Sequence, residues 1–258
     1  MIILIAESKT MAPCHEAIPH RLYTAHRPAF DDEAGSIMAS LCHTKPDVLA
    51  KQVKISLAMA RRLQQMILEF PDKVHGATAI EAYTGVVFKA LDYRSMDAAA
   101  RMATARRVRI ISSLYGWLAP DDFVKPYRFD FTTRLAPGDT PFASWWRTAV
   151  TQRLIDTLQQ QQCTEVLDLL PADAARAIDW GLVSQHATVC KADFIEIRPG
   201  GLTATPNSNR LKTLRGELLR QIICNDIPDL ATLATTAGDS YFADPNLHTP
   251  GHIVFTTA

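Results

Sequence analysis

The sequence predicts an α/β protein: a single compact domain with a mixed, mostly parallel sheet flanked by helices. Short, continuous apolar runs such as IILIA (2–6) and VRIISSL (108–114) are typical of strands that are buried on both faces. Segments with helical periodicity separate these runs along the whole chain. No linker divides the sequence into halves, so one domain over 1–258 is expected.

The first strand is followed by a helical region. Residues 11–30 are rich in proline and histidine and are expected to be irregular. Pro46 suits the first turn of a helix, where its missing N–H is not needed. Ser56 suits an N-cap, because its hydroxyl can accept a hydrogen bond from an otherwise unpaired N–H. Three helices are predicted, over 31–41, 45–53 and 57–70.

The rest of the chain continues to alternate strands and helices. Two segments of strand-like composition flank Pro199-Gly200-Gly201, a pattern that indicates a hairpin. The predicted helices cover 95–107, 142–160 and 208–225. The predicted strands cover 79–83, 108–114, 165–170, 187–197, 201–205, 240–243 and 252–255.

Composition excludes several classes of protein. A hydrophobic content of 47% is ample for a core, and no run approaches the about 18 apolar residues of a membrane span. Five scattered cysteines without a CxxC pair indicate a reducing compartment, so a cytoplasmic location is expected. The histidines and cysteines lack zinc-ligand spacing, and no dinucleotide-binding or P-loop motif occurs. We therefore expect neither a metal nor a cofactor.

Basic residues are clustered, although the formal net charge is zero. Three clusters lie within 45–62, 94–109 and 210–220. Local basic surface can bind phosphate groups even on a neutral chain. Helices also carry solvated arginines on their outer faces, so both interpretations stay open.

The segment 111–135 contains a dense run of glycine, proline, aromatic and basic residues. The guanidinium groups of Arg128 and Arg134 suit phosphate or carboxylate. The rings of Tyr115 and Tyr127 suit stacking on a base or a sugar. A packed loop with its aromatic rings in the core would use the same residues, and spacing alone does not separate these alternatives.

Taken in order, the segments MIILIAESKT, AYTG, SSLYGWLAP, KPYR, KTLRG and SYFADP resemble the YaaA peroxide-stress family of bacteria. The resemblance runs nearly end to end. It implies a compact fold, sometimes called cantaloupe-like, with a helix-hairpin-helix element that matches about 44–70 of this chain. It also implies a basic groove that binds DNA and a role in limiting oxidative damage by hydrogen peroxide and free iron.

A binding cleft is expected where the strands end. Lys9, Thr84 and Ser112 lie at the ends of predicted strands, and they converge if those strands are neighbours in a mostly parallel sheet. The motifs that match the family supply the other expected members. The expected cleft residues are Lys9, Thr10, Tyr83, Thr84, Gly85, Ser112, Tyr115, Gly116, Tyr127, Arg128, Arg134, Lys212 and Arg215.

Two departures from the family pattern leave the function open. The family's first strand typically ends in a Ser-Pro-Ala-Lys-Thr-like turn, whereas here Glu7 and Ser8 precede Lys9. After the fourth strand an asparagine of the family becomes Asp168, which we expect to be paired with a cation and to have a lowered pKa.

One candidate function is DNA binding in the peroxide response, without strong sequence preference. The alternative is an enzyme that acts on a nucleobase, nucleoside or nucleotide in the same cleft, for example at an N-glycosidic bond. Lys9 or Asp168 would then be the catalytic acid–base group. In both cases the expected partner is DNA or a nucleotide-like small molecule rather than a membrane.

Overall fold

A mixed sheet runs through the centre of the computed structural model, which describes residues 1–12, 26–71, 76–198 and 202–257. The strands within these ranges are β1 (Ile2–Ala6), β2 (Ala77–Thr78), β3 (Val108–Ser112), β4 (Gly116–Leu118), β5 (Phe123–Val124), β6 (Glu165–Asp168), β7 (Thr188–Ile197), β8 (Thr203–Ala204), β9 (Phe242–Ala243) and β10 (His252–Thr257). Eight of them form one sheet in the order β4-β3-β1-β6-β7-β10-β9, with β8 paired to β7, while β2 and β5 pair separately.

Parallel pairing dominates this sheet. β3, β1, β6, β7 and β10 all run parallel to their neighbours in that order. The short strands β4, β8 and β9 pair antiparallel. The predicted fold class, an α/β protein with a mixed, mostly parallel sheet, is therefore confirmed.

Helices flank the sheet, and several begin at the residues that the sequence indicates. Pro46 occupies the first turn of its helix. Ser56 Oγ accepts a hydrogen bond from the Met59 N–H at 3.3 Å, as expected of an N-cap. The helices are α1 (Asp31–Ser40), α2 (Pro46–Val53), α3 (Leu57–Glu69), α4 (Ala79–Ala82), α5 (Val86–Leu91), α6 (Ala98–Arg107), α7 (Phe142–Gln160), α8 (Ala172–Ala175), α9 (Trp180–Val183), α10 (Ser208–Cys224) and α11 (Leu230–Leu233).

The predicted strand at 79–83 is wrong, because this segment forms α4. Its first N–H groups are engaged outside the helix: Ala79 donates to the Asp122 carbonyl at 2.8 Å and Ile80 to the Pro120 carbonyl at 2.9 Å. These bonds anchor the start of a helical turn directly after β2. The apolar residues Ala79, Ile80 and Ala82 are buried, and in so short a segment an apolar run does not distinguish a strand from a helix.

Two further predictions fall partly outside the described residues. Most of the expected irregular segment 11–30 lies there, as does the expected turn at 199–201. The two arms of the predicted hairpin are described, and β7 and β8 pair antiparallel as expected.

Helices α2 and α3 form a hairpin at the position predicted for a helix-hairpin-helix element. Lys54, in the turn, has a left-handed backbone conformation with φ of 56°. Lys51, Lys54, Arg61 and Arg62 are exposed on this hairpin. Its binding of DNA stays a prediction. None of the helices in the described ranges is long and apolar enough to cross a membrane.

Candidate functional site

A cleft of about 450 Å³ lies where β1 and β6 end. The two strands are parallel neighbours, so their carboxyl ends meet at one edge of the sheet, where ligands bind in open α/β folds. Four other parts of the chain complete the wall. They contribute Gly85 and Val86 at the start of α5, Asp130 and Phe131, Leu169 and Pro171 after β6, and Ser208, Lys212 and Arg215 of α10.

Cationic side chains from separate segments converge on this cleft. Lys9 Nζ lies 3.0 Å from Asp130 Oδ2, and the Arg128 guanidinium donates to the Lys9 carbonyl oxygen at 2.8 Å. Lys212 is exposed and Arg215 is half-buried on the α10 side. Burial lowers the pKa of Arg215, and nearby acidic groups oppose that shift. The lining of the cleft therefore contains both cationic side chains and apolar residues.

Glu7 is the acidic group at the end of β1. Its N–H donates to the Ile111 carbonyl at 2.9 Å, which holds the backbone against β3. Its Oε2 accepts hydrogen bonds from the Ser113 N–H at 2.9 Å and from the Tyr127 hydroxyl. Burial raises the pKa of Glu7 from its usual 4.5 to about 7, outweighing the hydrogen bonds that lower it. A carboxyl group with that pKa can donate or accept a proton at neutral pH.

The three tyrosines that were expected in the cleft lie in the core, behind Glu7. Tyr127 Oη is 2.5 Å from Tyr83 Oη and 2.7 Å from Ser112 Oγ. Tyr115 Oη accepts a hydrogen bond from the Lys125 N–H at 3.0 Å. Tyr83, Tyr115 and Tyr127 are all buried, so their rings pack against the protein and do not offer a free face to a base.

The remaining expected residues are divided between the cleft and its surroundings. Thr10 and Gly85 line the cleft, and the Thr84 N–H donates to the Thr10 carbonyl at 3.0 Å. Gly116 has φ of +65° and packs on Trp146. Arg134 is exposed, 3.7 Å from Asp139, and lies outside the cleft lining.

Asp168 differs from the sequence-based expectation. Burial raises its pKa from the usual 3.8 to about 6, although Lys191 and Arg215 lower it in part. The expected lowered pKa is wrong, because the loss of solvent outweighs the positive neighbours. Asp168 Oδ1 accepts from the Leu170 N–H at 2.8 Å. The following residues Leu169 and Pro171 line the cleft, and Asp168 does not.

The basic cluster within 94–109 is largely occupied by backbone capping. Arg107 donates to the Ile227 carbonyl and lies 3.5 Å from Asp226. Arg101 donates to the carbonyls of Met96 and Arg94 at 3.0 and 2.7 Å. Among the described residues, no group of three or more histidine, cysteine, aspartate or glutamate side chains is arranged to hold a metal ion.

Sequence reasoning did not assign Glu7 to the site. The available signal was a carboxylate placed directly after a continuous apolar strand, next to Lys9. Neither Asp130, which pairs with Lys9, nor Asp173, which lines the cleft, has a comparable signal. Their positions depend on tertiary structure.

Comparison with known proteins identifies related sequences over almost the whole chain. A family model described as peroxide stress protein YaaA matches residues 1–247. A UPF0246 protein of Parabacteroides distasonis is 28% identical over 245 residues, covering 93% of this chain and 94% of that protein. One from Bacteroides fragilis is 26% identical, covering 99% and 98%, and one from Porphyromonas gingivalis is 31% identical, covering 78% of each.

Proposed function

The chain belongs to the peroxide stress protein YaaA family, and from this premise we propose that it acts in the peroxide response by binding DNA without strong sequence preference. The observation that carries the proposal is the convergence of Lys9, Lys212 and Arg215 from two separate segments on one cleft, with Arg128 bound to the carbonyl oxygen of Lys9 beside it. Lysine and arginine contacts to phosphates position a protein on DNA and carry no sequence information.

The size of the cleft limits what can enter it. Its volume of about 450 Å³ is that of a small-molecule site and much smaller than a duplex. We therefore propose that the DNA backbone runs along the edge of the cleft that carries Lys9, Lys212 and Arg215, with one unstacked nucleotide inside the cleft. Extruding a nucleotide is least costly where the DNA is already unpaired or damaged. This proposal favours unpaired DNA over an intact duplex.

The cysteines support a reducing compartment for this activity. Cys42, Cys163, Cys190 and Cys224 all have free thiols in the structure. Free thiols persist in the cytoplasm, where disulfides are rare. We place the protein there, in contact with the chromosome.

The proposal is tested by titrating labelled DNA with the protein at several salt concentrations between about 50 and 200 mM, because the salt dependence of affinity counts the phosphate contacts. One probe is a duplex and the other carries a central unpaired segment. We expect the logarithm of the affinity to fall linearly with the logarithm of salt, by about 0.9 for each phosphate contact. We also expect tighter binding of the unpaired probe. Affinity that does not depend on salt, or no binding at low salt, overturns the proposal.

A second function is favoured by Glu7. A carboxyl group with a pKa of about 7, beside a cleft with several cations, is suited to acid–base chemistry on a nucleoside or nucleotide. In this alternative Glu7 replaces Asp168 as the acid–base group, because Asp168 does not line the cleft. Glu7 would give its proton to the base as the N-glycosidic bond breaks, water would bond to the anomeric carbon of the sugar, and the proton that the water loses would return the Glu7 carboxylate to its acid form. Lys212 would hold a phosphate.

This alternative is tested by incubating the protein with nucleosides, nucleotides and damaged oligonucleotides and measuring the free base that is released. Glu7→Gln is expected to abolish release while DNA affinity stays close to that of the wild type. Release that survives in the Gln variant, or no release from any substrate class, counts against an enzyme that uses Glu7.

A further inference from the structure

A second cavity, of about 160 Å³, lies beside the first residues of β3, away from the strand ends that form the cleft. Arg27, Arg109, Trp117, Asp122, Arg153 and Gln160 contribute to its lining. Three of these six residues are arginines. Neither proposed function in the cleft uses them.

Arg153 carries donors that the described chain leaves unused. It lies on α7, and its Nε is buried without a hydrogen-bond partner in the described ranges. A buried donor without a partner is unfavourable by about 1–3 kcal/mol, more when it is charged, so native proteins rarely retain one without a reason. Arg153 is also one of the residues that line the cavity.

Arg109 faces the same cavity from β3. Its Nη1 caps the backbone, donating to the carbonyls of Ala105 at 2.9 Å and Val108 at 2.6 Å. Its other nitrogens make no hydrogen bond within the part of the chain that the structure describes. Burial lowers the pKa of Arg109, the negative charges of Asp122 and Asp121 oppose that shift, and the positive charge of Arg153 adds to it. The two guanidinium groups are therefore close enough to repel each other.

The acidic groups nearby offset part of the positive charge of this pair. Asp31 and Asp32 are engaged by Arg27, the first at 2.9 Å. Asp122 Oδ2 accepts from the Ala119 N–H at 2.7 Å, and the positive charges of Arg109 and Arg153 act on the Asp122 carboxyl group from a longer distance. Burial raises the pKa of Asp122 to about 7, so near neutral pH its charge is only partial. Among the residues that line the cavity, three arginines face one carboxyl group, that of Asp122.

We propose that this cavity is a binding site for a small tetrahedral oxyanion, such as free phosphate or the phosphoryl group of a small phosphate ester, held by Arg109 and Arg153. Planar guanidinium groups match the oxygens of such an anion with charge-assisted hydrogen bonds. The volume of about 160 Å³ admits an oxyanion and excludes a whole nucleotide. The site is independent of DNA binding in the cleft.

The site is tested by isothermal titration of the full chain with inorganic phosphate, sulfate and glycerol 3-phosphate at constant ionic strength. We expect saturable 1:1 binding of inorganic phosphate and of sulfate. Comparable affinity for glycerol 3-phosphate identifies an ester group as a suitable ligand. Exclusion of the ester identifies the free ion.

Arg153→Gln is expected to weaken phosphate binding at least tenfold, which corresponds to about 1.4 kcal/mol or more. Arg147→Gln is the matched control, because Arg147 lies on the same helix and pairs with Asp179 at 3.1 Å on the surface. Asp122→Asn is expected to tighten binding, since it removes an opposing charge and keeps an oxygen for the Ala119 N–H. Equal weakening by both arginine variants, or weaker binding by the Asn variant, overturns the proposal.

Discussion

Tyr127 donates its phenolic hydrogen to Oε2 of Glu7, and this bond connects the buried aromatic core to the floor of the cleft. Because that hydrogen is used on Glu7, the Tyr127 oxygen is left to accept from Tyr83 and Ser112, at 2.5 and 2.7 Å. The carboxyl group is therefore held by residues that cannot move without disturbing the core. A fixed, partly protonated acid at a strand end is the main chemical feature of this site.

The first prediction concerns stability and Glu7. The folded state holds its proton up to a pKa of about 7, whereas the unfolded chain releases it near 4.5. The folded state thus binds more protons in this window, so the wild type loses stability as pH rises from 4.5 to 7. Glu7→Gln removes this loss, and its stability relative to the wild type should rise by at most about 3 kcal/mol across the window.

The measurement is urea unfolding of both proteins between pH 4.5 and 8. Asp122 and Asp168 also have raised pKa values, so the relevant quantity is the difference between variant and wild type at each pH. Unfolding free energies that run parallel for the two proteins would show that the carboxyl group of Glu7 is not held neutral.

Lys9 is expected to contribute little to folding. Its side chain is 60% exposed, and exposed ion pairs such as the one with Asp130 contribute about 0–1 kcal/mol. Lys9→Ala should therefore change the unfolding free energy by less than about 1 kcal/mol while it weakens DNA binding. Lys89→Ala, an exposed change on α5 outside the cleft lining, controls for the loss of charge. A large fall in the melting temperature would assign Lys9 a structural role.

The packing of α5 against α10 depends on a glycine. A Cβ at Gly216 would collide with the Val87 carbonyl oxygen and lie 2.7 Å from the Ala90 Cβ. Gly216→Ala should reduce stability by about 1–3 kcal/mol, as overpacking does. Gly35→Ala is the control, because nothing lies within 4 Å of its new Cβ, and it should add about 0.5–1 kcal/mol through helix propensity. Thermal unfolding that ranks the two variants in the opposite order would contradict this packing.

Asp168 is expected to weaken DNA binding through Arg215, its positive neighbour beside the cleft. Asp168→Asn removes the opposing charge and keeps an oxygen for the Leu170 N–H, so DNA affinity at pH 8 should increase a few-fold. The same measurement with Asp156→Asn, on α7, controls for net charge. Unchanged or weaker DNA binding by the Asp168 variant would show that the charge of Asp168 does not oppose DNA binding.

Sequence patterns were sufficient for the long elements of the fold. The apolar runs of β1 and β3 and the periodicity of α3 are strong, local signals, and each element lies where it was predicted. The segment that forms α4 is only four residues long. Its helical form depends on hydrogen bonds to carbonyls at 120 and 122, which no local pattern contains.

Part of the candidate site was also predictable from local sequence signals. Lys9 follows a recognisable strand, and Lys212 lies in a segment that matches the family, so both were placed on the cleft, which they line. The tyrosines were placed in the cleft because they match family motifs and because their rings suit stacking, whereas the hydroxyls of Tyr83 and Tyr127 are satisfied inside the core. The pKa of Glu7 depends on burial, which only the assembled structure defines.

DNA binding at the cleft is tested most directly by measuring how the DNA affinity of Lys212→Gln depends on salt. Loss of one phosphate contact should weaken binding across all sequences and reduce the slope of log affinity against log salt by about 1. Lys89→Gln, an exposed lysine of α5 outside the cleft lining, makes the same charge change and should keep the wild-type slope. Identical slopes for the wild type and Lys212→Gln would contradict DNA binding at this cleft.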